Sequence, residues 1–368
     1  MKVKSRISSA GLFFLVVQTM IGVGVLSLPH QAYKAAGQNG WISIFISGLF
    51  IQLVILLIWF LCRRFPNLTL FDFSTLILGK ILGNTINFLY IVYLLTIVSY
   101  VLIIFSDTII RWIAPETPQW VFLIYGIVLL VYGCSGTIRS MVSLFSFLFI
   151  FILSLLFILL LVLQEPAIDI RYLFPIGFGG GWAILKSTKD IVPSFIGFET
   201  LLFYFAFMKQ PKSFSAVKVA FSAVFFVMIF YMYIVIISTM SFSPAEIKLV
   251  PEPVLYMIRG ISLHVIQRLD LVFLSIWGII VAATVISYAF IGSMGISKSL
   301  LVKHKIAVIL FAVFVFFVSI ISTYYVEIST FGEWVRKLNM IFGIIIPIIL
   351  LLIAIIFKRE AESCYEEK

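Results

Sequence analysis

Two uncharged stretches limit what this chain can fold into. Residues 142–163 run 22 positions without Asp, Glu, Lys or Arg, and residues 271–297 are likewise uncharged. About 20 consecutive apolar residues cross a bilayer as a helix. The stretches are continuously apolar rather than alternating, which excludes a strand barrel. The rest of the chain agrees: 62% of the residues are hydrophobic and 11% charged, against about half and a quarter in a soluble domain. A soluble enzyme, a disordered chain and a disulfide scaffold are thereby excluded. An all-α polytopic membrane protein is left.

Ten candidate spans can be drawn, at about 11–28, 40–62, 83–110, 119–134, 141–163, 191–208, 217–240, 271–294, 306–323 and 338–357. Segment 119–134 is the shortest. The first apolar stretch follows basic residues but contains Gln18, Gly22 and Gly24 and lacks a small-residue cleavage site, so it reads as a span and not a signal peptide. A single integral membrane domain over 1–368 is expected, with a tail at 358–368.

The net charge of +10 has a membrane explanation. With the N-terminus in the cytoplasm and the loops alternating, sixteen basic and five acidic residues fall inside. The inner acids are Asp72, Glu360, Glu362, Glu366 and Glu367. The outer loops balance, with ten of each sign. This is positive-inside bias, so nucleic acid is not an expected partner. Both termini are expected in the cytoplasm. Cys62, Cys134 and Cys364 then lie at the reducing side, which argues against disulfides.

One carboxylate, Glu199, is left inside a span. A charge there is expensive and usually functional. It could take up a proton, bond freed backbone or meet a ligand amine; a structural acid bonded to backbone is the plain alternative. It follows one of two interruptions in matching positions. The first span reads Gly22-Val23-Gly24-Val25 with Pro29 beyond, and the sixth reads Pro193-Ser194-Phe195-Ile196-Gly197-Phe198-Glu199. Transporters with inverted repeats bind substrate at such paired breaks. Freed backbone is tolerated at depth only where it lines a cavity or is bonded by protein. The amides of Val23, Gly24 and Val25 would favour a carboxylate, and the carbonyls near Met20 and Ile21 would suit an ammonium group. A zwitterionic amino acid fits both. The repeats are expected at about 8–163 and 188–357.

The flanking third and eighth spans supply candidate walls. Tyr93, Ile97 and Tyr100 share a helix face, and Thr284 and Tyr288 are one turn apart with Ser287 beside them. Asp107 and Arg111 are expected to pair at the outer end of the third span. Loop 164–189, with Gly177-Phe-Gly-Gly-Gly181, lacks the lysine and hydroxyl of a phosphate loop and is expected to be a flexible outer loop. Apolar residues at helical spacing over 252–269 predict an amphipathic outer helix. His30, His264 and His304 are far apart, and no metal or catalytic constellation exists in the sequence. Neither an enzyme nor a cofactor is expected.

At the two interruptions the chain resembles the amino acid/polyamine/organocation transporter superfamily. With about ten spans and a short tail, it resembles the B subunits of GerA-type spore germinant receptors over essentially its whole length. The resemblance implies a LeuT-like five-plus-five inverted repeat with discontinuous first and sixth helices. It implies the inner membrane of a bacterial spore, partner A and C subunits, and recognition of a nutrient, often an amino acid, that triggers germination. Carried over by position, the ligand site takes in Gly22, Val23, Gly24, Val25, Ile196, Gly197, Phe198 and Glu199, walled by Tyr93, Ile97, Thr284 and Tyr288. A secondary active amino-acid transporter is the alternative. The uncharged fifth span, where a proton-coupled relative can carry a lysine, favours the sensor.

Overall fold

A computed structural model describes residues 6–166, 168–177, 180–209, 214–261 and 267–360. Expectations placed on Lys2, Lys4, Lys212, His264, Val265, Glu362, Cys364, Glu366, Glu367 and Lys368 lie outside those residues.

Helix α1 (Ser9–Met20) starts where the Ser8 hydroxyl accepts the Gly11 amide at 3.1 Å, covering one of the donors a helix start leaves unpaired. It stops at Met20. Ile21 is extended, Gly22 follows, and a 3₁₀ turn covers Val23–Val25. Then come α2 (Leu28–Ala36), α3 (Gly40–Arg64), α4 (Leu70–Leu78), α5 (Lys80–Trp112), α6 (Gln119–Cys134) and α7 (Ile138–Val162). Thr69 with Asp72 and Thr137 with Ser140 form capping boxes that start α4 and α7.

The second half begins with α8 (Gly180–Ile191) and a 3₁₀ turn at Val192–Phe195. Ile196 leaves the helical region and Gly197 takes φ +123°. A second 3₁₀ turn, Phe198–Thr200, leads into α9 (Leu201–Tyr204). The remaining helices are α10 (Phe214–Ser241), α11 (Pro253–Arg259), α12 (Leu269–Ser299), α13 (His304–Tyr325), α14 (Ile328–Asn339) and α15 (Ile346–Ile356). Six π-helical residues, Met340–Ile345, join the last two.

Among the described residues, seven helices are long and apolar enough to cross a membrane, counting Leu28–Arg64 and Ile328–Ile356 each as one, and eight if the pair bent by 55° around Gly197 is one span. Helices α1 and α6 are apolar but shorter. Among the described residues, the expected ten spans therefore require α1, α6 and the bent pair to be counted as crossing.

Three expectations are corrected. Residues 180–189 of the expected outer loop belong to helix α8. Of the single helix expected over 252–269, Pro253–Arg259 is helical and closed by Gly260, and Leu269 already belongs to α12. The last span starts at Ile328 rather than near 338. Helices α8 and α14 carry charges on one side, so a hydropathy reading ends before the helix does.

Helix α1 packs against α7, α10 and α12, while α3 packs on α10 and α5 on α12. Close approach uses small residues: a Cβ on Gly48 of α3 would lie 2.4 Å from Met228 Sδ of α10. The outer faces of α7 and α13 expose Phe147, Phe157, Phe314 and Phe317, as lipid contact requires.

Candidate functional site

The two interruptions meet at the centre of the bundle. At φ +123° Gly197 adopts a backbone conformation open chiefly to glycine, and a Cβ there would lie 2.8 Å from Met20 Cα. The break in the sixth segment thus rests directly on the end of α1. Beside this contact lies a cavity of about 140 Å³ lined by Gly22, Val23, Gly24, Ile97, Tyr100, Ile196, Thr284, Tyr288 and Arg336, among others. Drug-sized ligands use roughly 300–1,000 Å³, so the space suits a small metabolite. Gly24 is exposed to it, with nothing within 4 Å of where a Cβ would stand.

The carbonyls freed at the first break already accept bonds. Tyr231 Oη donates to Met20 O at 2.7 Å, and Thr284 Oγ1 lies 3.1 Å from Gln18 O and 3.2 Å from Ile21 O. Trp277 Nε1 donates to Gly22 O at 3.4 Å. Side chains of α10 and α12 therefore carry most of the backbone cost of the break. A carbonyl has two lone pairs, so an ammonium group would share these oxygens rather than find them free.

Glu199 is fully buried behind the cavity. One carboxyl oxygen accepts from Tyr288 Oη at 2.7 Å and Tyr93 Oη at 3.0 Å; the other accepts the Gly197 amide at 2.9 Å. Asn339 Nδ2 in turn donates to Tyr93 Oη at 3.0 Å, next to the π-helical turn. Phe342 of that turn stacks on Tyr93 with ring centres 4.8 Å apart.

Of the twelve residues expected at the ligand site, seven line the cavity: Gly22, Val23, Gly24, Ile97, Ile196, Thr284 and Tyr288. Val25, Tyr93, Gly197, Phe198 and Glu199 are buried behind that wall. Ser287 is drawn into a separate hydroxyl cluster, 2.5 Å from Thr19 Oγ1 and 2.6 Å from Tyr204 Oη. Tyr231, Trp277, Asn339 and Arg336 were not legible as site residues. Only Arg336 had a usable signal, since Gly332, Val335 and Arg336 stand at i, i+3, i+4 on one helix face.

The segment before α1 is tied to the residues after α9. Arg6 donates to Asn67 Oδ1 at 2.6 Å and Met208 O at 2.8 Å, and the Ile7 amide bonds Phe207 O at 2.8 Å. A second chamber of about 520 Å³ shares Gln31, Pro193 and Arg336 with the inner cavity. Asp107 and Arg111 pair at 2.8 Å as expected, and Arg111 also holds Glu252 at 2.7 Å.

The sequence profile described as spore germination protein matches residues 6–329. The chain is 26% identical over 341 residues to the spore germination protein GerQB of Bacillus cereus, covering 92% of this chain and 93% of that one. It is 25% identical over 361 residues to the spore germination protein YndE of Bacillus subtilis strain 168, covering 96% and 98%. Among solved structures, MhsT in complex with L-phenylalanine matches with TM-score 0.70 at 14% identity, over 98% of this chain and 91% of that one. A sodium-coupled sialic acid symporter matches with TM-score 0.63 at 10% identity, over 93% and 80%. The fold is that of the LeuT-like transporters.

Proposed function

From the premise that the chain belongs to the spore germination protein family, we propose that it is the nutrient-sensing B-type subunit of a spore germinant receptor. The nutrient, an amino acid in this reading, binds between the two interrupted segments. The observation that carries the proposal is the cavity bounded by both interruptions and sharing wall residues with a larger chamber, with Gly24 bare on its wall. Ligand contact with Gly22–Gly24 on one side and Ile196 on the other would couple occupancy to the relative position of α1 and the sixth segment. Tyr288 links the cavity wall to Glu199, and Tyr93 and Asn339 extend that chain of bonds to α14.

In this reading the protein has ten spans in two inverted repeats, at about 8–163 and 188–357, and both termini in the cytoplasm. It works beside A and C subunits in the spore inner membrane. The similarity to transporters of known structure favours one second reading, a secondary active amino-acid transporter.

Deleting the gene tests the proposal. Dormant spores of the deletion strain should lose their response to one nutrient and recover it on complementation. Unimpaired germination on every nutrient, in a strain also lacking paralogous subunits, counts against the sensor. Uptake of that nutrient into liposomes against an ion gradient supports the transporter instead.

A further inference from the structure

The outer chamber is charged in a way the inner cavity is not. Its wall carries Lys34, Lys189, Arg336 and Lys337 against Asp190 and Glu333, a surplus of two positive charges. These cations come from three elements: α2, α8 and α14. Among the described residues, the side chains of Lys34, Lys189 and Lys337 take part in no hydrogen bond or ion pair. Arg336 has one weak partner, Glu333 at 3.9 Å, and both side chains are about half exposed. An exposed pair at that distance holds the guanidinium only loosely. The charges thus stand around a concave chamber with their bonding capacity unused.

Arg336 is also the one charged residue shared by the chamber and the inner cavity. A ligand that enters the inner cavity from the chamber passes this guanidinium. A cleft lined by one sign of charge concentrates ligands of the other sign and speeds their arrival. A guanidinium matches a carboxylate with two parallel bonds.

We infer that this vestibule selects a ligand carrying a carboxylate and no net positive charge, and that Arg336 receives that carboxylate on the way to the inner cavity. The inference deepens the nutrient-sensing reading by naming the ligand class, and it rests on that reading. It favours neutral or acidic amino acids and disfavours basic amino acids, sugars and nucleosides.

The test uses the full-length protein in nanodiscs. Thermal stabilisation is measured with L-alanine, L-leucine, L-glutamate, L-lysine, the methyl esters of the first two, D-glucose and inosine, since a bound ligand stabilises in proportion to its occupancy. The expected result is stabilisation by a carboxylate-bearing neutral or acidic member, lost in its ester, weaker at high salt, and shifted about tenfold or more in affinity by Arg336→Ala. Arg336→Lys should keep the salt dependence and recover part of the affinity. Stabilisation by glucose, inosine or L-lysine alone overturns the inference, as does a carboxylate affinity unchanged in Arg336→Ala.

Gly24→Trp separates this inference from the reading it rests on. If a sugar binds and Gly24→Trp abolishes it, the cavity stands and the carboxylate selection falls. If a carboxylate binds with an affinity that depends on Arg336 but not on Gly24, the vestibule stands and the inner cavity as ligand site falls.

Discussion

Gly197 and Met20 touch backbone to backbone. A Cβ on Gly197 would lie 2.8 Å from Met20 Cα and 2.9 Å from Met20 N, and the glycine itself sits at φ +123°. Both halves of the bundle are interrupted here, and each interruption is shaped by the other. Gly197→Ala should therefore cost about 2 kcal/mol or more from backbone strain and displaced backbone. Gly24→Ala, with open space around it, is the matched control. Thermal melts in nanodiscs should show Gly197→Ala clearly destabilised and Gly24→Ala near wild type. Equal melts for the two variants contradict the close approach.

The Glu199 carboxylate takes three donors, from Tyr288, Tyr93 and Gly197. A glutamine of the same shape has one oxygen and one NH₂ group, so Glu199→Gln either sets its NH₂ against the Gly197 amide or forces both tyrosine hydroxyls to turn from donating to accepting. The cost is about 1–3 kcal/mol for the unpaired group. Ligand response should fall while the protein still folds. Only Tyr288 of the two tyrosines also lines the cavity. Tyr288→Phe should therefore weaken ligand binding more than Tyr93→Phe. Equal effects in a binding titration contradict this placement.

Asp72 sets a pH limit where α4 meets the end of α12. Burial would raise its carboxyl, but Lys298 at 2.6 Å and the two bonds from Thr69 outweigh it and hold the group below its ordinary value of 3.8. A group with a lowered native pKa contributes stability that is complete above its unfolded value and is lost as the pH falls through the native one. Wild-type melting temperature should hold down to about pH 4 and drop below it. Asp72→Asn should melt lower at neutral pH, by about 1 kcal/mol, and show a flatter acid limb. Parallel acid limbs for the two proteins contradict the role of Asp72.

The long apolar helices were legible because lipid surrounds them. The uncharged run 142–163 became α7, Ile138–Val162, and 271–297 became α12, Leu269–Ser299. The outer helices were not. Lys34 of α2, Lys186, Lys189 and Asp190 of α8, and Glu333, Arg336 and Lys337 of α14 interrupt the apolar pattern, and all three helices fall almost wholly between the expected spans. They are amphipathic because one side faces an aqueous chamber, so hydropathy stops where the vestibule begins. Arg336 was missed for that reason.

At the site, spacing put Tyr93, Ile97 and Tyr100 on one face. It could not say that Ile97 and Tyr100 line the cavity while Tyr93 turns to Glu199. That depends on where α12 and α14 approach α5, which is long-range packing. The paired glycine breaks were visible, but the side chains that satisfy them, Tyr231, Thr284 and Trp277, come from helices distant in sequence.

Thiol accessibility at position 24 addresses the central claim most directly. Cys62 and Cys134 are buried, so with Cys364→Ser the thiol of Gly24→Cys should be the main target of an impermeant methanethiosulfonate reagent added from outside. The nutrient to use is the one that wild-type spores answer and deletion spores do not. The account predicts ready labelling, slowed in proportion to occupancy as the nutrient is titrated. A labelling rate unchanged at saturating nutrient contradicts binding between the two interrupted segments.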